Sequence, residues 1–232
     1  MLNNKILTPL FLALIFFVSC KQKSEKKLLK SELTDTQIST KIDVKKLPYF
    51  NTPDFNPTWL PNDGELKDVH KIPSFNFKNQ LGNEITNKTL EGKIYVASFF
   101  FTTCPNICIQ LAKNMRELQE IYAKDDEIKL VSHTVWPSVD TVEVLKEYGE
   151  RQDINPEKWY LLTGNKEKIY ELAREAYFAD DLYKQTKDAN RFIHTENLIL
   201  VDKNSHIRGV YSGTLPTEIK RIERHINILK KE

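Results

Sequence analysis

The stretch Ile94-Tyr-Val-Ala-Ser-Phe-Phe-Phe101-Thr-Thr-Cys104-Pro-Asn-Ile-Cys108 decides how this chain is read. Ile94 to Phe101 is a near-continuous apolar, β-prone run, the pattern of a central strand buried on both faces. Beyond Cys104, residues Ile107, Leu111, Met115, Leu118 and Tyr122 recur at helical spacing. Thr103 is the expected N-cap and Pro105 falls in the expected first turn. Cys104 and Cys108 would then lie one turn apart on one face of a helix start. Two thiols so placed can close a disulfide or hold one soft metal ion. The free amides and positive dipole end of a first helical turn stabilise a thiolate, so Cys104 is expected to ionise more readily than an ordinary cysteine.

Outward from this stretch, the pattern alternates. Ile72 to Phe77 reads as a strand followed by a turn at Asn79–Gly82. Ile128 to Val135 is the next strand, and Asp140 is positioned to cap a helix carrying Val142, Leu145 and Tyr148. Trp159 to Leu162 is a short strand, and Lys166 to Tyr177 a helix. Residues 178–192 read as a polar loop. Leu198 to Val201 and Ile207 to Tyr211 form a hairpin around Asp202–Ser205. Ile219, Ile222, Ile226 and Leu229 mark a C-terminal amphipathic helix. This order specifies an α/β sandwich with helices on both sheet faces, and a cysteine pair at the end of the first central strand fits a thioredoxin-like layout with a central mixed β-sheet.

The N-terminus has a different character. Met1 to Lys5 brings one positive charge, Ile6 to Val18 is apolar except for Thr8 and Pro9, and Ser19-Cys20 precedes the charged run Lys21 to Lys27. The apolar run is short for a membrane span and has the layout of an export signal. A cysteine after a small residue at its end resembles the lipobox of bacterial lipoproteins, with Phe17 where leucine is commonest. The expectation is a signal peptide over residues 1–19 and a lipidated Cys20 with a polar tether over 20–66. The folded domain would occupy 67–232, exported and lipid-anchored to a bacterial membrane on its periplasmic or extracytoplasmic face. An uncleaved anchor with an incidental cysteine is the alternative. Within the tether, residues 46–65 carry four prolines and four aromatic residues and are expected to pack irregularly on the domain surface. With 40% hydrophobic and 28% charged residues and a net charge of +2, the composition suits a globular domain and argues against nucleic acid as a partner.

The third cysteine being assigned to the lipid leaves Cys104 and Cys108 as a pair in an oxidising compartment. A loop of five residues gains little from a structural disulfide, so a reactive or metal-binding pair is the better reading. Two thiolates leave most metals under-coordinated. His194, just before the strand at Leu198, is the candidate third donor, because in a thioredoxin-like sheet that loop faces the cysteine turn. No proline lies between Pro156 and Pro216, so the residue that shapes a thioredoxin's substrate groove there is absent. A histidine merely hydrogen-bonded at a strand start is the competing reading. Two soft thiolates and an imidazole favour copper(I), with zinc as competitor and copper(II) also accommodated. His133, at a strand end on the functional side, is a candidate for the outer shell. His206 and His225 are expected to be exposed structural residues, and His70 is given no role.

Four stretches together resemble the Sco/SenC family of copper-binding, thioredoxin-like proteins: Phe101 to Cys108, Val131 to Thr141, Trp159 to Gly164, and Ile193-His194-Thr195 followed by Leu198 to Asp202. The resemblance spans roughly residues 68–230. It implies that Cys104, Cys108 and His194 are copper ligands. It further implies a membrane-tethered chaperone that delivers copper to the dinuclear copper centre of cytochrome c oxidase and that can reduce that centre's cysteines. The implied partners are a copper-accepting oxidase subunit and a thiol reductase that keeps the cysteines reduced. A thiol–disulfide oxidoreductase or redox sensor using the same pair is the alternative, and a binding module with vestigial cysteines a third class. The chain departs from the family pattern at Ile109, where a proline is common, and at Trp136, where an aspartate usually precedes the proline of Trp136-Pro137. Asp140 matches the later aspartate of that stretch.

Overall fold

The structure is a computed structural model that describes residues 46–60, 66, 68–180 and 195–232. The body runs from Val44 to Glu232. The expected signal peptide, Cys20 and most of the tether lie outside the described residues, as does His194.

Its centre is a five-stranded mixed sheet, with β5 (Ile94–Phe100) in the middle. All seven residues of β5 are buried, as its unbroken apolar run predicts. β5 runs parallel to β6 (Ile128–Thr134), which runs parallel to β7 (Trp159–Leu162). On its other side β5 is antiparallel to β8 (Asn197–Val201), which forms a hairpin with β9 (Ile207–Ser212). Two small two-stranded sheets precede it: β1 (Tyr49–Phe50) with β2 (Pro57–Thr58), and β3 (Asn76–Lys78) with β4 (Glu84–Thr86).

Alternate residues of β5 sort the core into two layers. Ile94, Val96 and Phe100 face helices α1 (Ile107–Ile121), α2 (Val142–Arg151) and α4 (Pro216–Leu229). Tyr95, Ala97 and Phe99 face α3 (Lys166–Glu171), the π-helical turn Leu172–Ala176 that continues it, and the β3–β4 hairpin. The α/β sandwich with helices on both faces is therefore what the sequence specified. Among the described residues no helix is long and apolar enough to cross a membrane.

Some boundaries differ from expectation. The strand expected at Ile72–Phe77 is a three-residue strand, Asn76–Lys78, paired with β4 and bridged at Lys78 to Thr163. Pro73 supplies no amide for a ladder at the head of that run. Phe178, Ala179 and Asp180, expected to open a polar loop, are buried, and Arg174 binds Asp180 at 2.9 Å. The rest of that loop lies outside the described residues.

Segment 46–60 does pack on the domain, and Arg208 is the reason. Its guanidinium meets Asp202 at 3.0 Å and Glu232 at 2.8 Å, donates to the Leu47 carbonyl at 2.7 Å, and lies 4.1 Å from the centre of the Tyr49 ring. The Leu47 amide donates to Glu232. His206, expected to be exposed beside its turn, is buried under this strap. Its Nδ1 pairs with the His70 carbonyl at 2.9 Å, and Tyr49 packs edge-on against its ring. His225 is half-buried, bonded through Nδ1 to the Tyr211 hydroxyl at 2.8 Å.

Candidate functional site

The carboxyl ends of β5, β6 and β9 and the start of β8 meet at one end of the sheet, and both cysteines sit there. Cys104 is partly exposed and Cys108 is buried; both thiols are free. The helix expected to contain them starts later than the sequence suggested. Asn106 is the N-cap of α1 without a side-chain cap bond, so Thr103, Cys104 and Pro105 precede the helix and only Cys108 is within it.

The sulfur of Cys104 does the capping that no side-chain oxygen supplies. Its partial burial opposes ionisation, but the amides of Asn106, Cys108 and Ile107 and the thiol of Cys108 all donate to it. The net result holds the Cys104 thiol below its ordinary range. Cys108 moves the other way. Burial comes first, then the hydrogen bond to Cys104, and these push its thiol well above the ordinary range, with the charges of Cys104 and Asp140 adding to the effect. The pair therefore gives up its first proton more readily than an ordinary thiol and its second more reluctantly.

A buried carboxylate ties down the loop that presents Cys104. Asp140 is fully buried and accepts from the Thr102 hydroxyl at 2.5 Å, from the Thr102 amide at 3.3 Å, and from the Thr134 hydroxyl. It joins the loop after β5 to the loop after β6. The helix cap expected of Asp140 falls instead to Thr141, whose hydroxyl accepts from the Val144 amide. The sequence reading missed this role; a threonine at the end of β6 and another two residues past the end of β5 were the available signal. Tyr148, on α2, also faces the site: burial, then the nearby charge of Cys108, raises its phenol to about 12.

Trp136 packs edge-on against Phe101 with ring centres 6.0 Å apart, and its amide donates to the Thr134 hydroxyl. It stands beside the cysteine loop and is 47% exposed. Ile109, the other departure from the family pattern, is 64% exposed on α1.

His133 is not an outer-shell residue. It alternates with Leu130, Ser132 and Thr134 along β6 and so faces the opposite layer, enclosed by Phe75, Phe77, Phe99 and Tyr177. Both of its ring nitrogens are buried without a hydrogen-bond partner. The third expected donor, His194, is not among the described residues. Thr195 and Glu196 are, and they enter β8 at the cysteine end of the sheet, where Ile199 pairs with Ala97. Among the described residues, no group of three His, Cys, Asp or Glu side chains is assembled as a metal site.

Residues 63–229 match the SCO1/SenC family model. The crystal structure of a SCO1/SenC family lipoprotein from Bacillus anthracis is similar, with a TM-score of 0.61 and 28% identity over 69% of this chain and 95% of that one. BsSco, described as a member of the Sco family of cytochrome c oxidase assembly proteins with a disulfide switch, matches with a TM-score of 0.60. Its identity is 24%, covering 70% of this chain and 95% of that one. Yeast Sco1 with copper bound shares the fold, at a TM-score of 0.52 and 23% identity over 68% of this chain and 89% of that one. The match runs across the strand, the cysteine loop and the capped helix alike, and the chain belongs to the SCO1/SenC family.

Proposed function

We propose that this protein is a membrane-tethered copper chaperone. It holds copper through Cys104, Cys108 and His194 and delivers it to the dinuclear copper centre of cytochrome c oxidase. The observation that carries this reading is the free thiol pair at the head of α1, in which Cys104 is partly exposed and stabilised as a thiolate by three backbone amides. Family membership, the copper bound to yeast Sco1 and the assembly role of BsSco support it.

The pair has the chemistry the task requires. Soft thiolates select copper(I), and an imidazole completes a three-donor set that also tolerates copper(II). The ready thiolate of Cys104 makes the first bond, and binding at Cys108 releases that thiol's proton, so loading is linked to pH. Cys104, the more exposed sulfur, is the one an incoming acceptor thiolate reaches. A disulfide cannot bind the metal, so a thiol reductase partner is part of the proposal. The layout of residues 1–20 and the lipoprotein from Bacillus anthracis support a lipid anchor at Cys20 and an extracytoplasmic site.

The test is a copper titration of the reduced full-length chain in mild detergent, read by stoichiometry and thiolate absorption. One copper per chain is expected, lost in Cys104→Ser and Cys108→Ser and weakened about 10–100-fold in His194→Ala. Equal affinity in reduced His194→Ala protein defeats the three-donor model.

One observation favours a second reading, a thiol–disulfide oxidoreductase or redox sensor. The two thiols differ in the sense that exchange chemistry needs, a partly exposed and more readily ionised thiol with a buried thiol bonded to it. Cys104 would attack a partner disulfide to form a mixed disulfide and release one partner thiolate. Cys108 would then displace the second, leaving this pair oxidised and the partner reduced. Copper-independent turnover in an insulin-reduction assay would favour it.

A further inference from the structure

The cysteine end of the domain is chemically unlike the rest of the chain. Residues 94–112, 130–139 and 209–217 contain no Asp, Glu, Lys or Arg, in a protein of 28% charged residues. These stretches deliver the loops after β5, β6 and β9, which lie together at the carboxyl ends of the strands. Three of the six exposed large apolar side chains among the described residues come from them: Trp136, Ile109 and Leu215. The third loop is fixed against the cysteine helix. A Cβ on Gly213 would lie 2.3 Å from a Leu111 methyl, and Asn114 donates to the Gly213 carbonyl at 2.7 Å. The one charged described residue at the start of β8, Glu196, spends its carboxylate on the hydroxyls of Ser212 and Thr214.

We propose that this rim, uncharged across the described loops after β5, β6 and β9 and carrying Trp136 and Ile109, is the docking surface for the copper recipient. The matching face of the recipient is apolar, its metal-accepting thiolates flanked by aliphatic or aromatic side chains and not by an acidic or basic ring. This rests on the reading of the cysteine pair as a copper donor. The argument is one of charge matching and of solvent. A neutral, apolar rim gives a charged partner ring nothing to pair with and leaves its ions desolvated, while it buries readily against an apolar one. Ligand exchange between thiolates is also protected when the rim excludes water around Cys104. Trp136 is the anchor: a large, half-exposed ring already braced by Phe101, and so ordered before it binds.

The experiment separates this inference from the reading beneath it. The soluble copper-accepting domain of an oxidase subunit from the same organism is the probe. Its binding to the full-length, metal-free, reduced chain in mild detergent is measured by interferometry, which needs no copper. Trp136→Asp and Ile109→Asp are expected each to weaken binding about tenfold, and Trp136→Phe to retain it within about twofold. Wild-type affinity is expected to change less than about twofold between ~25 and ~300 mM salt. Binding that is equal in the aspartate variants, absent in the wild type, or steeply lost with salt overturns the docking proposal. Copper loading, measured separately on the same variants, is expected to be unchanged; a wild type that loads no copper defeats the chaperone reading whatever the binding shows.

Discussion

At one end of the sheet, Arg208 is buried among Asp202, Glu232, two backbone carbonyls and the Tyr49 ring, and nearby Lys203 and Lys230 pair with Glu127 and Asp125. At the other end, the described loops carry two free thiols, exposed Trp136 and Ile109, and almost no charge. The same five strands support both. The ionic end satisfies its buried groups internally and gains definition of one arrangement of the strap. The cysteine end leaves its reactive sulfur and its apolar surface available. What differs is where each end's partners are: inside the chain at one and, on the proposed function, outside it at the other.

The largest effect should come from breaking the ionic end. Arg208→Ala strands Asp202 and Glu232 without their cation and releases Leu47, and is expected to cost about 3–5 kcal/mol in urea unfolding. Thiol reactivity of the folded fraction should stay as in wild type, because the two ends share no side-chain contact with Arg208. A parallel loss of Cys104 reactivity would mean that the ends are coupled.

Acid probes the layer between them. Burial without any partner lowers the His133 imidazole to about 3, below its unfolded value of 6.5. The unfolded chain therefore takes up this proton first. The contribution is fully present above pH 6.5 and is lost as pH falls towards 3, amounting to about 2 kcal/mol between pH 7 and pH 5. His133→Leu should flatten that limb of the stability–pH curve and be close to neutral at pH 7, since it also removes two unpaired buried nitrogens. An unchanged acid limb would assign the effect to other groups.

The smallest perturbation sharpens the cysteine end itself. Alkylation of the reduced protein at neutral pH should modify Cys104 quickly and Cys108 slowly, as mass spectrometry of the modified peptides would show. The Cys104 rate should persist below the pH at which a free cysteine slows, because its thiol is held below the ordinary range, whereas Cys108 should react only at higher pH. Equal rates at the two sulfurs would contradict the asymmetry.

Much of this was written in local pattern. The seven buried residues of β5 and the spacing of Leu111, Met115 and Leu118 gave the central strand and its helix directly. The helix start was misjudged because N-cap preferences are stated for oxygen side chains, and here a sulfur two residues before the cap residue gathers the amides. His133 was legible after all, since period-two alternation places it with Val131 and Val135 and away from the cysteine layer. His206 was not, because what buries it is Tyr49, more than 150 residues earlier in the chain. Asp140 shows the same limit: its partners Thr102 and Thr134 are brought together only by the pairing of β5 with β6.

The strap at Leu47 and Tyr49 also defines a route for mechanical load. A pull on the chain ahead of Lys46 is first resisted where the Leu47 and Pro48 carbonyls grip Arg208, a residue of β9. From there tension enters the β8–β9 hairpin near its turn and passes into the sheet at Val201 and Tyr95. The cysteine loop lies at the far end of those strands, outside that line of force, so a pull on the segment ahead of Lys46 is expected to leave the cysteine loop undisturbed.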